Sequence, residues 1–260
     1  MKELDSTLMI CSNCGEPIQK EIELLGKVRV VPIACSCKKA KLEKQREKDL
    51  NTEKQERLKR LFSSSLMDKK FMKETFEAWD HKKGSEQMFN IGNKYCENFK
   101  AAKKEGLGFL IYGPPGNGKT YLSNCIANNL LNKGIPVICL SINALLERIQ
   151  KTYSSWGKEG ERDILNTLAY ADLLIIDDLG TEQLTDWSAT KIYNIIDSRY
   201  RNGLPIIVST NKSLSELKDM YHVRTVDRLF EMCTPLKNGA ESIRKEQAKE
   251  KTNLLRKILL

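Results

Sequence analysis

The chain has 260 residues, 40% of them hydrophobic, enough to bury a sizeable α/β core and leave room for a smaller module. No stretch approaches the run of about 18 apolar residues that a membrane span needs, and the start Met1-Lys2-Glu3-Leu4-Asp5 lacks a secretory pattern, so a cytoplasmic protein with no membrane partner is expected. A formal net charge of +9 favours a polyanionic partner, with nucleic acid the first candidate, and in a reducing compartment the eight cysteines are expected as thiols or metal ligands rather than disulfides.

Three zones follow in chain order. Residues 1–40 carry Cys11-Ser12-Asn13-Cys14-Gly15 and Cys35-Ser36-Cys37, with the strand-like Val28-Arg29-Val30-Val31-Pro32-Ile33 before the second pair. Cys11, Cys14, Cys35 and Cys37 offer four thiolates in two close pairs, the donor set of a structural tetrahedral Zn²⁺ site. The C-x-C pair is the tighter and less usual half. So small a module would barely fold without metal. Cys96, Cys125, Cys139 and Cys233 read as core thiols. Residues 41–69 are rich in Lys, Glu and Arg and lack Gly and Pro, as an exposed helical linker would be. From residue 70 to 260, strands and helices alternate, which predicts a central parallel sheet covered on both faces.

Within this third zone, Leu107 to Tyr112 reads as a buried strand and Tyr121 to Leu131 as a helix. Between them, Gly113-Pro114-Pro115-Gly116-Asn117-Gly118-Lys119-Thr120 matches G-x-x-x-x-G-K-[ST] at every fixed position. Glycines let backbone N–H groups face phosphate oxygens, Lys119 reaches the terminal phosphates, and the Thr120 hydroxyl suits Mg²⁺; Tyr121 completes the binding stretch. After a strand at Pro136-Val137-Ile138-Cys139-Leu140, the apolar run Leu173-Leu174-Ile175-Ile176 ends in Asp177 and Asp178. A buried parallel strand delivers such residues to the ligand edge of its sheet, so Asp177 is expected to hold Mg²⁺ opposite Thr120. Asp178 stands where a catalytic base is expected, with a side chain shorter than Glu, which predicts slow hydrolysis. Glu182 is an alternative base, an auxiliary group or simply surface charge.

A fourth strand, Leu204 to Asn211, ends in polar residues. Asn211 there either orients the attacking water or caps the helix that starts near Ser213. Arg224 and Arg228 lie four apart on one helical face; Arg228 either reaches a neighbouring subunit's γ-phosphate or pairs with Asp227 or Glu231 on its own helix. Arg244 either contacts phosphate within its own subunit or is a surface charge.

The phosphate loop, the Asp-Asp strand end, the Ser-Thr-Asn strand end, the Arg-x-x-x-Arg-Leu helix and the Gly-x-x-Ser-x-Arg segment together resemble the AAA+ ATPases of the DnaC/DnaI helicase-loader type, and Thr75-Phe76-Glu77 is similar to that group too. The resemblance covers about residues 70–245 and implies an AAA+ P-loop fold. It further implies a weak ATPase that self-associates through Arg228, binds single-stranded DNA and delivers a hexameric replicative helicase gripped by the N-terminal module. The transposition helper IstB shares this core, so a transposase regulator acting on duplex DNA is the alternative, and a zinc-dependent scaffold that binds nucleotide without turnover is a third reading. Related initiators carry an extra helix facing single-stranded DNA between the second strand and the Asp strand. Here that segment holds Lys151, Tyr153, Trp156 and Lys158, cations for phosphates and rings for bases, although the rings would equally pack the insert onto the core. The short segment after Arg244 is less than the full helical lid of many AAA+ proteins, which puts the role of Arg244 in doubt.

Overall fold

The computed structural model describes residues 9–24, 26–62, 71–154 and 160–259, and the chain divides into two compact units, Met1–Glu53 and Lys54–Leu260. In the first unit, strands β1 (Gln19–Leu24) and β2 (Lys27–Pro32) form an antiparallel hairpin, with Glu21 opposite Val30 and Glu23 opposite Val28. A two-stranded ribbon of this kind buries little by itself: Val28 is 67% exposed and Val30 46%. Helix α1 (Ser36–Phe62) follows the second cysteine pair, a polar helix without Gly or Pro in which Gln45 donates to Asp49 one turn on.

The second unit is built on a five-stranded parallel sheet. Its elements in chain order are α2 (Glu86–Glu97), α3 (Phe99–Lys104), β3 (Gly108–Tyr112), α4 (Lys119–Asn132), β4 (Val137–Ser141), α5 (Ile142–Ser154), α6 (Glu161–Tyr170), β5 (Leu173–Asp177), α7 (Asp186–Arg201), β6 (Ile206–Thr210), α8 (Leu214–Met220), α9 (Val223–Met232), β7 (Cys233–Lys237) and α10 (Ile243–Leu259). The strand order is β4-β5-β6-β3-β7. β4, β5, β6 and β3 are near-continuous runs of Val, Ile and Leu because helices cover both faces. One apolar layer packs Ile138, Leu174, Ile176 and Val208 against α5, α6, α7 and α9. The other packs Ile111, Ile175 and Ile207 against α2, α3 and α4 through Met88, Phe99, Ile126 and Leu130. Each fully buried side chain of this size contributes about 1.5–3 kcal/mol.

Caps fix where the helices start. Thr185 accepts from Ser188 N–H at the start of α7, and Ser213 from Glu216 N–H at the start of α8. Arg199 is fully buried, and its guanidinium donates to the carbonyls of Leu168, Ala171 and Pro205, fastening the end of α6 to the entry of β6.

The strand between the phosphate strand and the Asp strand differs between chain and space. In the sequence it is Val137–Ser141. In the sheet it is β6, while β4 is an edge strand. Parallel crossovers let a later strand insert between earlier ones, and this brings the polar end of β6 beside both motifs.

Candidate functional site

The phosphate loop, Asp177, Asp178 and Asn211 all lie at the C-terminal ends of sheet strands. The loop from β3 to α4 turns through Gly113, Gly116 and Gly118, all at positive φ, and α4 starts at Lys119 itself. Gly113 is required by close approach, since a Cβ there would sit 2.1 Å from Asn238 O, and Gly116 by its φ of 85°.

A cleft of about 430 Å³ opens on this loop, lined by Pro115 to Tyr121, Asp178, Asn211, Ile243 and Arg244, with Ala78 to Asp80, Lys83 and Gly84 on a further wall. Lys119 Nζ donates to Gly113 O (2.9 Å), Pro114 O (2.8 Å) and Asn117 Oδ1 (3.1 Å), so the ammonium is held at the loop it serves. Burial pulls the Lys119 pKa down; Asp178 and Asp177 oppose that, and Arg244 adds to it. A buried ammonium, a nearby guanidinium and a helix N-terminus together make a site for a multiply charged anion.

Thr120 Oγ1 donates to Asp177 Oδ2 at 2.9 Å, and Ser209 Oγ donates to Asp177 Oδ1. Burial, with help from the Asp178 charge, raises the Asp177 pKa against these hydrogen bonds and Lys119. A desolvated carboxylate beside a threonine hydroxyl fits a hydrated Mg²⁺, which would supply the missing positive charge.

Asp178 adopts φ 57°, the left-handed region that an aspartate enters at some cost. Its N–H donates to Ser209 Oγ at 3.1 Å, and its Oδ1 accepts from Asn211 Nδ2 at 3.3 Å. The backbone twist puts Asp178 in the cleft while Asp177 stays behind it. Asn211 is also in the cleft, and the cap of α8 is Ser213, so the capping alternative for Asn211 does not describe this structure. Glu182 is neither a cleft residue nor surface charge: it is buried, accepting from Tyr221 Oη and from Gly180 N–H (2.8 Å).

Arg228 sits away from the cleft of its own chain. It pairs with Asp197 on α7, not with Asp227 or Glu231, and its guanidinium lies over Tyr193 (4.9 Å) and Tyr200 (5.5 Å). Lys151 pairs with Glu147 at 2.7 Å. Tyr153 is 58% exposed yet meets Trp187 of α7 edge-on at 6.4 Å and donates to Glu161, so one side of its ring is engaged within the chain. Trp156 and Lys158 lie outside the described residues.

Asn238 belongs to none of the sequence motifs. It is 3% exposed and clamps the phosphate loop from the end of β7: its N–H donates to Tyr112 O (2.8 Å), its Nδ2 to Asn117 O (3.0 Å), and its carbonyl accepts from Asn117 Nδ2 (2.5 Å). Tyr121, the first-turn aromatic of α4, donates to Ala78 O at 2.9 Å and meets Trp79 edge-on.

In the first unit, the Sγ atoms of Cys11, Cys14, Cys35 and Cys37 all lie within 4.8 Å of one another. Cys35 and Cys37 are 3.2 Å apart and Cys11 and Cys37 3.6 Å, so the tight C-x-C pair converges like the other. Sulfurs around a tetrahedral Zn²⁺ would be separated by about 3.8 Å, which this set fits. The amides of Asn13 and Cys14, with the Cys35 and Cys37 thiols, lower the Cys11 pKa to about 6; the Cys35, Cys11 and Cys14 thiols push Cys37 up to about 12. The cluster cannot carry four thiolates without a cation among them. Cys96, Cys125, Cys139 and Cys233 are buried in the sheet unit with raised pKa values, as expected of packed thiols.

No helix among the described residues is long and apolar enough to cross a membrane. Curated relatives include the replicative helicase loader DnaC of Escherichia coli strain K12, 30% identical over 121 residues, which are 46% of this chain and 49% of that protein. The replicative helicase loader DnaC of Buchnera aphidicola subsp. Baizongia pistaciae is 26% identical over 175 residues, 66% of this chain and 70% of that one. The chain therefore spans about half the length of the first of these relatives. Among solved structures, a DnaC helicase loader superposes with a TM-score of 0.57 at 26% identity over 65% of this chain and 99% of that one. The fold is that of an AAA+ P-loop domain. A family model described as "IstB-like ATP binding protein" matches residues 34–251, and the chain belongs to that ATP-binding family.

Proposed function

We propose that this protein is a weak ATPase that loads a replicative hexameric helicase onto single-stranded DNA, with ATP binding and hydrolysis as the switch between assembly and release. The observation that carries this reading is the 30% identity over 121 residues with the helicase loader DnaC; the separate four-cysteine unit is, in this reading, the grip on the helicase. In this account Lys119 and the amides from Gly113 to Thr120 hold the phosphates of ATP, and Thr120 and Asp177 hold Mg²⁺. Asp178 and Asn211 position the attacking water. Asp178 is short and backbone-constrained, which suits slow turnover.

Arg228 acts in trans in this account, so turnover depends on side-by-side association, and Arg244 contacts phosphate within its own chain. Cys11, Cys14, Cys35 and Cys37 hold Zn²⁺. Lys151 and Tyr153, with Trp156 and Lys158, form the single-strand contact. The family match to IstB-like proteins favours one other reading, a transposase regulator on duplex DNA.

Strand displacement and duplex binding together separate the two. Replicative helicase is added to a protein-coated single-stranded circle carrying a duplex segment, with the full chain, and strand displacement is followed. The loader reading expects displacement to require the chain and ATP, with Lys119→Ala inactive. Displacement unaffected by the chain, together with tight ATP-dependent binding to long duplex DNA, would establish the regulator instead.

A further inference from the structure

The cleft has a feature outside the phosphate machinery. One wall of its mouth is the turn Asp80 to Gly84, and the other is the start of α10 at Ile243 and Arg244. Lys83, on the first wall, reaches across to Glu250 of α10 at 2.8 Å. α10 is therefore fixed at two points. Its first residue donates its N–H to Gly116 O of the phosphate loop at 2.9 Å, and Glu250, two turns further on, is tied to the opposite wall. Glu246 and Asp80 also face the ammonium, so Lys83 sits in a mostly acidic surrounding that raises its pKa, with Glu250 the leading contributor. The Lys83 side chain is 23% exposed, while Glu250 is 58% exposed and open to salt.

We infer that α10 is a lid over the nucleotide cleft and that the Lys83–Glu250 ion pair is its latch, setting the rate at which nucleotide exchanges. The inference rests on the cleft being the nucleotide site. A bound nucleotide sits between the phosphate loop, the Trp79-bearing wall and the first residues of α10, Ile243 and Arg244. It leaves when α10 swings away from the Asp80–Gly84 turn, and that motion must break the pair. Gly84 lies against the Trp79 ring, where a Cβ would come within 2.5 Å of it. With α10 anchored at its first residue, the opening motion is concentrated at this pair.

Release of a fluorescent mant-ADP, chased with unlabelled ADP in a stopped-flow instrument, tests the latch in the full-length protein. A partly exposed pair of this kind should slow release by about two- to fivefold. Lys83→Ala and Glu250→Ala should each accelerate release by that factor, and the double variant should be no faster than either single one. The exchanged pair Lys83→Glu with Glu250→Lys should restore slow release. High salt should bring wild type to the rate of the alanine variants and leave those variants unchanged. Wild-type release rates in both single variants, multiplying effects in the double variant, or fast release in the exchanged pair would each overturn the latch. Lys119→Ala separates this from failure of the site itself: mant-ADP that binds Lys119→Ala as tightly as wild type overturns the site reading whatever the release rates are.

Discussion

Asn238→Ala isolates what the side chain of Asn238 does for the phosphate loop. The backbone carbonyl of residue 238 still accepts from Asn117 Nδ2 and its N–H still donates to Tyr112 O, so only the side-chain contacts are lost. Asn117 O, inside a residue 2% exposed, loses its donor at 3.0 Å, and Ala240 N–H loses its acceptor at 3.3 Å. An orphaned buried carbonyl costs about 1–3 kcal/mol, and the more exposed Ala240 amide regains most of its loss from water. The sum is about 1–3 kcal/mol. For a unit of this size that lowers Tm by about 2–12 °C. Asn117 also positions Lys119 through its Oδ1, so loosening it should weaken nucleotide binding by about tenfold, equivalent to about 1.4 kcal/mol. Differential scanning fluorimetry and a mant-ATP titration read the two effects. A Tm within about 1 °C of wild type with unchanged affinity would refute the claim that Asn238 clamps the loop.

Asp177→Asn should stabilise the metal-free protein while ending catalysis. Burial raises the Asp177 pKa in the fold, so the stability this group contributes is present at low pH and lost as pH rises through that raised value. Near pH 7 the charged form is therefore a burden that Asn removes. The expected result is a higher Tm without Mg²⁺, a flatter dependence of Tm on pH, and turnover reduced by about a hundredfold or more; a lower Tm would contradict it. Metal analysis of the purified chain should find one Zn²⁺ per chain, absent in Cys11→Ser with Cys14→Ser, and a strong chelator should unfold the cysteine unit; metal-free protein with an unchanged circular dichroism spectrum would contradict this. Arg228→Ala should abolish the rise of specific ATPase activity with protein concentration and leave mant-ATP affinity within about twofold, because Arg228 lies outside its own cleft. Activity that rises with concentration as in wild type would exclude the trans role.

The phosphate loop and the Asp strand were legible because each is a local pattern with its own chemistry: glycines at required turns, and an apolar run ending in carboxylates. β7 was not. Cys-Thr-Pro-Leu-Lys carries a proline and lacks an apolar run, and it is a strand only because it lies at the sheet edge, where β3 alone pairs with it. Asn238 stayed hidden with it. β1 was missed because Gln-Lys-Glu-Ile-Glu-Leu is mostly polar, which a solvated hairpin tolerates. The environment of Glu182 depends on Tyr221, and the pairing of Arg228 on Asp197, both distant in sequence. Sequence spacing suggested neighbours on the same helix for Arg228, whereas α7 packs across α9 and supplies a better-oriented carboxylate. The left-handed backbone of Asp178 was not legible because Asp, although it enters that region more readily than most residues, does so only at a minority of positions.

In the proposed function the ATP site governs the grip of the cysteine unit on a hexameric replicative helicase. Size-exclusion chromatography with light scattering, on the full chain mixed with the replicative helicase of its host, measures that directly. The account predicts a complex formed by wild type with ATP. It should be lost in Cys11→Ser with Cys14→Ser and weakened when ADP replaces ATP. No complex with wild type, or a complex indifferent to both the cysteines and the nucleotide, would contradict it.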